Sequence, residues 1–166
     1  MIIRSERPAD QAAIHAVHAA AFPTTAEARL VDALRTARRL RISLVAVVDD
    51  AIVGHVAFSP VHVPGATDGL GLAPLAVVPA DQRRGIGAEL VREGLAACEH
   101  VGCGFVVVLG DPSYYGRFGF KPASIFGLRD AYGGGAAFQA MELRAGAIPT
   151  AGGTVRYAPE FALAGS

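Results

Sequence analysis

The 166-residue sequence predicts an α/β fold with a mixed sheet, and three observations carry that reading. β-branched runs such as "ISLVAVVD" and "AIVGHVAFSPVHV" alternate with stretches whose apolar residues recur at helical spacing. Asp49 and Asp50 separate those two runs, a turn signal that makes them an antiparallel hairpin. The later run "CGFVVVLG" is apolar throughout, as expected of a strand buried on both faces.

The elements follow in order. "MIIRSE" reads as a short strand and "ERPADQAAIHAVHAAAF" as a helix ended by Pro23, with Ala12, Ile14, Val17, Ala21 and Phe22 near one face. "TTAEARLVDALRTARRL" gives a second helix, its face made by Leu30, Val31 and Leu34 and its cap by Thr24 or Thr25. After the hairpin comes "LGLAPLAVVP", a strand with Pro74 inside it. Proline donates no ladder hydrogen bond, so Pro74 marks an edge, a bulge or a failure of pairing. The next helix gathers Ile86, Leu90, Val91, Leu95 and Cys98 on one face and Glu89, Arg92, Glu93 and Glu99 on the other. "DPSYYGRFGF" opens with Asp111 at a cap and Pro112 at the first helical position. Gly133 to Gly135 form a loop before a last strand, "AFQAMEL". No repeat or linker interrupts this order, so residues 1–166 are expected to form a single domain.

Composition narrows the class. Hydrophobic residues at 52% and charged ones at 18% exclude a disordered chain. Fifteen basic residues balance fifteen acidic ones, which argues against a general nucleic-acid surface, although Arg83 and Arg84 form a local basic spot. Cys98 and Cys103 are too few for a disulfide framework and lack zinc spacing, so they read as small buried residues. "MIIRSERPAD" becomes charged within four residues and no apolar run reaches membrane length, so a cytoplasmic protein without membrane or nucleic-acid partners is expected. His15 and His18 share a helix face at i, i+3, but without a third ligand no metal site is expected.

One string carries chemistry. In "QRRGIGAEL" a strand runs into two glycines and then a helix. The first turn of a helix leaves backbone N–H groups without partners and places partial positive charge there, which suits a phosphate. A Cβ at Gly85 or Gly87 would stand between those amides and the anion, while Arg83, Arg84 and the Gln82 side chain add donors beside the turn. A Walker A loop is absent. A dinucleotide fingerprint would need a third small residue where Leu90 stands. What remains is Q/R-x-x-G-x-G, matched by Gln82, Arg83, Arg84, Gly85, Ile86 and Gly87, against the plainer reading of a tight turn with solvated arginines.

At this point the sequence resembles the GNAT superfamily of N-acetyltransferases. "PLAVVPADQRRGIGAELV" is similar to that family's central strand–turn–helix motif, and "YYGRFGF", about 30 residues on, to its next one. "VGHVAFSPV" and "GDPSYYGRFGF" further resemble its YhbS-like bacterial branch, and the likeness runs from Ile3 to about Phe161. The resemblance implies a mostly antiparallel central sheet flanked by helices, the acyl-CoA N-acyltransferase fold. It implies acetyl-coenzyme A as acetyl donor and a small-molecule or peptide amine as acceptor. It implies that the pyrophosphate sits on the turn amides from Arg83 to Ala88 and that the pantetheine arm pairs with Leu75, Ala76 and Val77 beside a splay near Pro74. By the same spacing Tyr115 matches the family's general-acid tyrosine, with Tyr114 as the other candidate. A tyrosine of ordinary pKa, about 10, is protonated at neutral pH and can donate to a departing thiolate.

Some positions depart from the family or stay open. The strand end reads Leu109, Gly110, Asp111 where many members carry an asparagine, so Asp111 is assigned to the helix cap. Glu27, His55, His62 or a water can serve as general base. Residues 144–166 either close over the acceptor or join a second copy in a homodimer. The competing function is a non-catalytic acyl-CoA-binding sensor or interaction module, against which Tyr115 argues, because a binder needs no acid.

Overall fold

The computed structural model describes residues 1–164. In chain order its elements are β1 (Ile2–Ser5), α1 (Gln11–Ala21), α2 (Ala26–Thr36), β2 (Ile42–Val48), β3 (Ala51–Val63), β4 (Ala66–Val77) and α3 (Ile86–His100). They continue as β5 (Phe105–Leu109), α4 (Pro112–Tyr115), β6 (Lys121–Pro122), β7 (Leu128–Asp130), β8 (Phe138–Glu142), β9 (Gly153–Val155) and α5 (Glu160–Ala164). Seven strands form one mixed sheet in the order β1-β2-β3-β4-β5-β8-β6, and β7 with β9 forms a separate parallel pair. Pairing is antiparallel for β1–β2, β2–β3, β5–β8 and β6–β8, and parallel for β4–β5. The α/β class with a mostly antiparallel sheet flanked by helices is therefore observed.

Contacts group the chain into two compact units, one from residues 1–58, 74–97 and 159 onward, the other from 59–73 and 98–158. In the first unit the hairpin between β2 and β3 turns on Asp49 and Asp50, with φ of 49° and 63°. That left-handed pair matches the twist of the strands it joins. Successive residues of β3 then face opposite sides of the sheet. An added Cβ on Gly54 would lie 3.0 Å from Leu90 of α3, and one on Gly94 of α3 would overlap the Phe58 ring. His55, between Gly54 and Val56, reaches the α1 side instead, where Ile14, Val31 and Val45 form an apolar cluster.

The overlap at Gly94 gives a stability prediction. Alanine is the better helix former by about 1 kcal/mol, whereas forcing a methyl into a filled core costs about 1–3 kcal/mol. Gly94→Ala is expected to lower the urea midpoint, because the fully buried Phe58 cannot yield. A raised midpoint would show that helix propensity wins.

In the second unit Phe105 fills the space above Gly69, and Val61, Val63, Val107, Phe138, Ala140 and Val155 complete the core. The apolar run of β5 is buried from Phe105 to Val108, as expected of a strand covered on both faces. The parallel register of β4 with β5 covers Gly69–Gly71, and Pro74 stands three residues further along β4. Cys98 and Cys103 are buried free thiols, and the Cys103 thiol donates to the Phe105 carbonyl at 3.0 Å.

Several local expectations are corrected. The first helix begins at Gln11 after a single 3-10 turn over Pro8–Asp10, and Ala12 is exposed while His18 joins Ile14 and Val17 on the buried face. Thr25 precedes α2 without a side-chain cap bond; Thr24 Oγ1 accepts instead from the Ala26 amide at 3.3 Å. Beside these corrections, the chain after Arg144 has partners earlier in the sequence: Gly153–Val155 pairs with Leu128–Asp130 and Arg156 bridges His62 in the second unit. In the first unit Glu160 meets Arg39 at 3.4 Å.

Candidate functional site

The turn before α3 is built by unusual backbone. Pro79–Asp81 makes one 3-10 turn, then Arg83 takes φ 64° and Gly85 φ 80°. Left-handed backbone is strained for arginine and cheap for glycine. Around an added Cβ at Gly85 there is nothing within 4 Å, so glycine is required there by conformation, and the space beside it is open. The first helical bond of α3 runs from the Glu89 amide to the Gly85 carbonyl at 3.1 Å. The amides of Ile86, Gly87 and Ala88 therefore precede the ladder and point out of the helix end. The side chains of Ile86 and Ala88 are buried, so only their backbone is available to a ligand.

The flanking side chains are placed differently from one another. Gln82 does not reach outward: its Nε2 donates to the Val77 carbonyl at 2.9 Å and ties the turn to the end of β4. Arg83 and Arg84 are exposed, and Arg84 sits 3.4 Å from Asp81, a solvated pair of little energetic weight. On β4 Ala76 is buried while Leu75 and Val77 are half-buried. The Val78 amide donates to Val53 at 2.9 Å, so β3 runs beside this end of β4.

Tyr115 closes α4. Asp111 caps that helix as expected, accepting from the Ser113 amide at 2.9 Å, with Pro112 at its first position. The Tyr115 ring lies against Gly110, where any side chain would overlap it, and meets Phe120 edge-on at 5.8 Å and Tyr114 at 4.9 Å. Burial, reinforced by Tyr114, pushes its hydroxyl up to about 12, so it keeps its proton throughout the physiological range. Tyr114 instead carries the Arg117 guanidinium over its ring at 4.5 Å.

Of the candidate bases, His62 is exposed at its bridge to Arg156, and Glu27 is half-buried in the first turn of α2. His55 is fully buried and cannot itself meet an acceptor, which removes it as a direct base. It belongs to a chain of polar contacts that the sequence reading missed. Arg35 holds Glu6 through two bonds of 2.8 and 3.2 Å, Glu6 meets the Ser43 hydroxyl, Ser43 Oγ lies 2.8 Å from His55 Nε2, and His55 Nδ1 lies 2.8 Å from His18 Nε2. His18 is fully buried and its Nδ1 has no hydrogen-bond partner among the described residues. Leaving such an atom unpaired costs about 1–3 kcal/mol. Burial above all pushes His18 down to about 4 and His55 well below the ordinary histidine value, so both rings are neutral at pH 7. His15, which shares a helix face with His18, pairs separately with Asp32 at 2.7 Å. The signal was present in the sequence: His18 follows Ile14 by four residues, the spacing of the buried face.

Residues 11–120, from α1 through the turn of α3 to Phe120 just before β6, match the acetyltransferase (GNAT) family. The chain belongs to the GNAT family. It is thereby an acyltransferase. Its relatives include the N-acetyltransferase YhbS of Escherichia coli, 41% identical over 164 residues that cover 97% of this chain and 98% of that protein. The crystal structure of that GNAT enzyme in complex with CoA superposes with a TM-score of 0.92 at 40% identity, covering 97% of this chain and 91% of the other. A GNAT acetyltransferase from Brucella melitensis, in complex with acetyl-CoA, gives a TM-score of 0.81 at 42% identity, covering 96% and 97%. Among the described residues no helix is long and apolar enough to cross a membrane.

Proposed function

We propose that this chain transfers the acetyl group of acetyl-CoA to a primary amine of a small molecule or peptide, acting as one N-acetyltransferase domain in the cytoplasm. The observation that carries the reading is the turn of α3: left-handed Arg83 and Gly85 lead into the open amides of Ile86, Gly87 and Ala88, with clear space beside Gly85. Its supports are the GNAT relatives bound to CoA and acetyl-CoA. In this reading the pyrophosphate lies on the amides of residues 83–88, flanked by Arg83 and Arg84. Gln82 holds the end of β4 in place through Val77. The pantetheine arm runs along Leu75, Ala76 and Val77.

The chemistry follows from these positions. The amine lone pair attacks the thioester carbonyl carbon, and backbone donors near Val77 stabilise the oxyanion that forms. As the C–S bond breaks, the electron pair leaves on sulfur and Tyr115 delivers its proton there, while the amine nitrogen gives up a proton to water, Glu27 or His62, and solvent returns a proton to Tyr115. A tyrosine raised to about 12 is a firm proton holder until the thiolate develops beside it.

Incubating the chain with acetyl-CoA and a panel of primary amines (phenylethylamine, putrescine, lysine and a tetrapeptide with a free N-terminus) tests the reading. Release of free thiol together with an N-acetylated amine in the mass spectrum is expected. Tight binding of acetyl-CoA without acetylation of any amine would replace the enzyme by a non-catalytic acyl-CoA-binding module.

A further inference from the structure

An open pocket of about 470 Å³ lies wholly within the second unit, walled by the 3-10 turn over Ala123–Phe126, by β7 and by the loop of residues 133–135. Its size falls in the range of small-molecule sites. Its floor is apolar, since Ala123, Leu128 and Phe138 are all buried. Its charged groups are two, adjacent and of opposite sign. Arg129 is exposed and makes no ion pair among the described residues. Asp130 is half-buried; its Oδ2 accepts from the Gly134 amide at 2.7 Å, and its Oδ1 meets no donor among the described residues. A carboxylate accepts several hydrogen bonds, so Gly134 leaves most of that capacity unused. The Ser124 hydroxyl stands exposed on the same wall.

This pocket adjoins the acid. The Gly110 amide donates to the Ala137 carbonyl at 3.0 Å, and the Tyr115 ring lies against Gly110. Leu109, 40% exposed, fills the place that a side chain on Gly134 would need. One apolar side chain thus bridges the glycine loop and the residue beneath Tyr115. We propose, resting on the acetyl-transfer reading, that the pocket holds the far end of the acceptor and that this end is zwitterionic. The acceptor is then a free α-amino acid that carries a second amine on its side chain. Its α-ammonium donates to the Asp130 carboxylate. Its α-carboxylate accepts from the Arg129 guanidinium and the Ser124 hydroxyl, a pairing that a planar fork of donors suits. Its methylene chain lies on Leu128, Phe138 and Leu109, and its side-chain amine reaches the thioester beside Tyr115. A pocket of one sign would select a plain diamine or a plain carboxylate; two opposite charges side by side select a head group that carries both. A lysine inside a peptide has neither α charge, so the free amino acid is preferred. Ser124, Arg129 and Asp130 are specificity-determining residues and take no part in the proton transfers.

Thiol-release kinetics on the full chain with three matched amines test the assignment. Lysine offers both α charges, cadaverine lacks the carboxylate, and ε-aminocaproate lacks the α-ammonium. Lysine is expected to show a kcat/KM about 10-fold or more above either of the others, the worth of one charge-assisted contact. Its product is expected to carry the acetyl group on the side-chain nitrogen. Asp130→Asn keeps an oxygen for the Gly134 amide, so the loop survives. It is expected to raise the KM for lysine about 10-fold while leaving that for ε-aminocaproate within about twofold. Arg129→Gln is expected to raise the KM for lysine and for ε-aminocaproate and to spare cadaverine. The KM for acetyl-CoA stays put in both variants, which a merely distorted fold would not allow. Lysine no better than the other two, acetylation on its α-nitrogen, or variants that affect all three amines alike would overturn the assignment. If no amine is acetylated, the acetyl-transfer reading falls, and binding alone decides the pocket. Lysine titrated into the CoA-bound chain is then expected to shift the NMR signals of the Gly133, Gly134 and Gly135 amides, and not to do so in Asp130→Asn. Unmoved glycine signals in the parent chain would overturn the pocket as well.

Discussion

Tyr115→Phe is expected to lower kcat for acetyl transfer by about 10²–10⁴, the usual worth of a positioned general acid, and to leave the KM for acetyl-CoA nearly unchanged. The substitution deletes one oxygen and keeps every packing contact of the ring: the face against Gly110, the edge-on meeting with Phe120 and the contact with Tyr114. Its thermal midpoint therefore stays close to that of the parent chain. Tyr114→Phe serves as the control. Tyr114 is occupied by the Arg117 guanidinium, and its loss of a hydroxyl should change kcat little. If Tyr114→Phe carried the large loss and Tyr115→Phe did not, the acid would be reassigned. With its hydroxyl pushed up to about 12, the limb of the pH profile owed to Tyr115 lies above the ordinary tyrosine value.

Acid is the second lever with a large effect. His18 titrates near 6.5 in the unfolded chain and at about 4 in the folded one, chiefly because burial disfavours its charged form. Its folded value is depressed, so the unfolded state binds the extra proton first, and stability is full above about pH 6.5 and falls as pH drops toward 4. At about 1.36 kcal/mol per pH unit, His18 alone removes roughly 3 kcal/mol across that window. His55, shifted in the same direction by burial and by His18, steepens the fall. Urea midpoints between pH 7 and pH 4.5 measure it. His18→Leu should flatten the slope over that range even if it changes stability at pH 7; an equal slope in both proteins would contradict the assignment. Asp10, held low by Arg4, acts below the ordinary carboxylate range and so does not overlap this window.

Both predictions rest on residues whose legibility in the sequence differed. Asp111, Pro112 and the Asp49–Asp50 turn were readable because a cap or a hairpin turn is decided by a few adjacent residues. The run from Phe105 to Val108 was readable because burial on both faces leaves no polar alternation. The β7–β9 pair was not, since strands of three residues carry too little period to distinguish them from loop. The left-handed backbone at Arg83 was hidden because nothing in an arginine announces it, although its neighbour Gly85 did. The buried polar chain was the hardest to see. Glu6, Ser43, His55 and His18 lie in four separate segments, and no local pattern in any one of them announces the other three.

If the turn opening α3 holds the phosphate end of acetyl-CoA, distorting that turn weakens binding, and a calorimetric titration of acetyl-CoA into the chain and into Gly85→Val tests it. A valine there meets open space, so the core is not disturbed, but it resists φ of 80° and shifts the amides of Ile86 and Gly87. Losing one charge-assisted hydrogen bond of about 1.5–3 kcal/mol weakens binding about 10- to 100-fold. That loss, with the fold retained by circular dichroism, is the predicted result. Equal affinity for acetyl-CoA in the two proteins would contradict it and place the phosphates elsewhere.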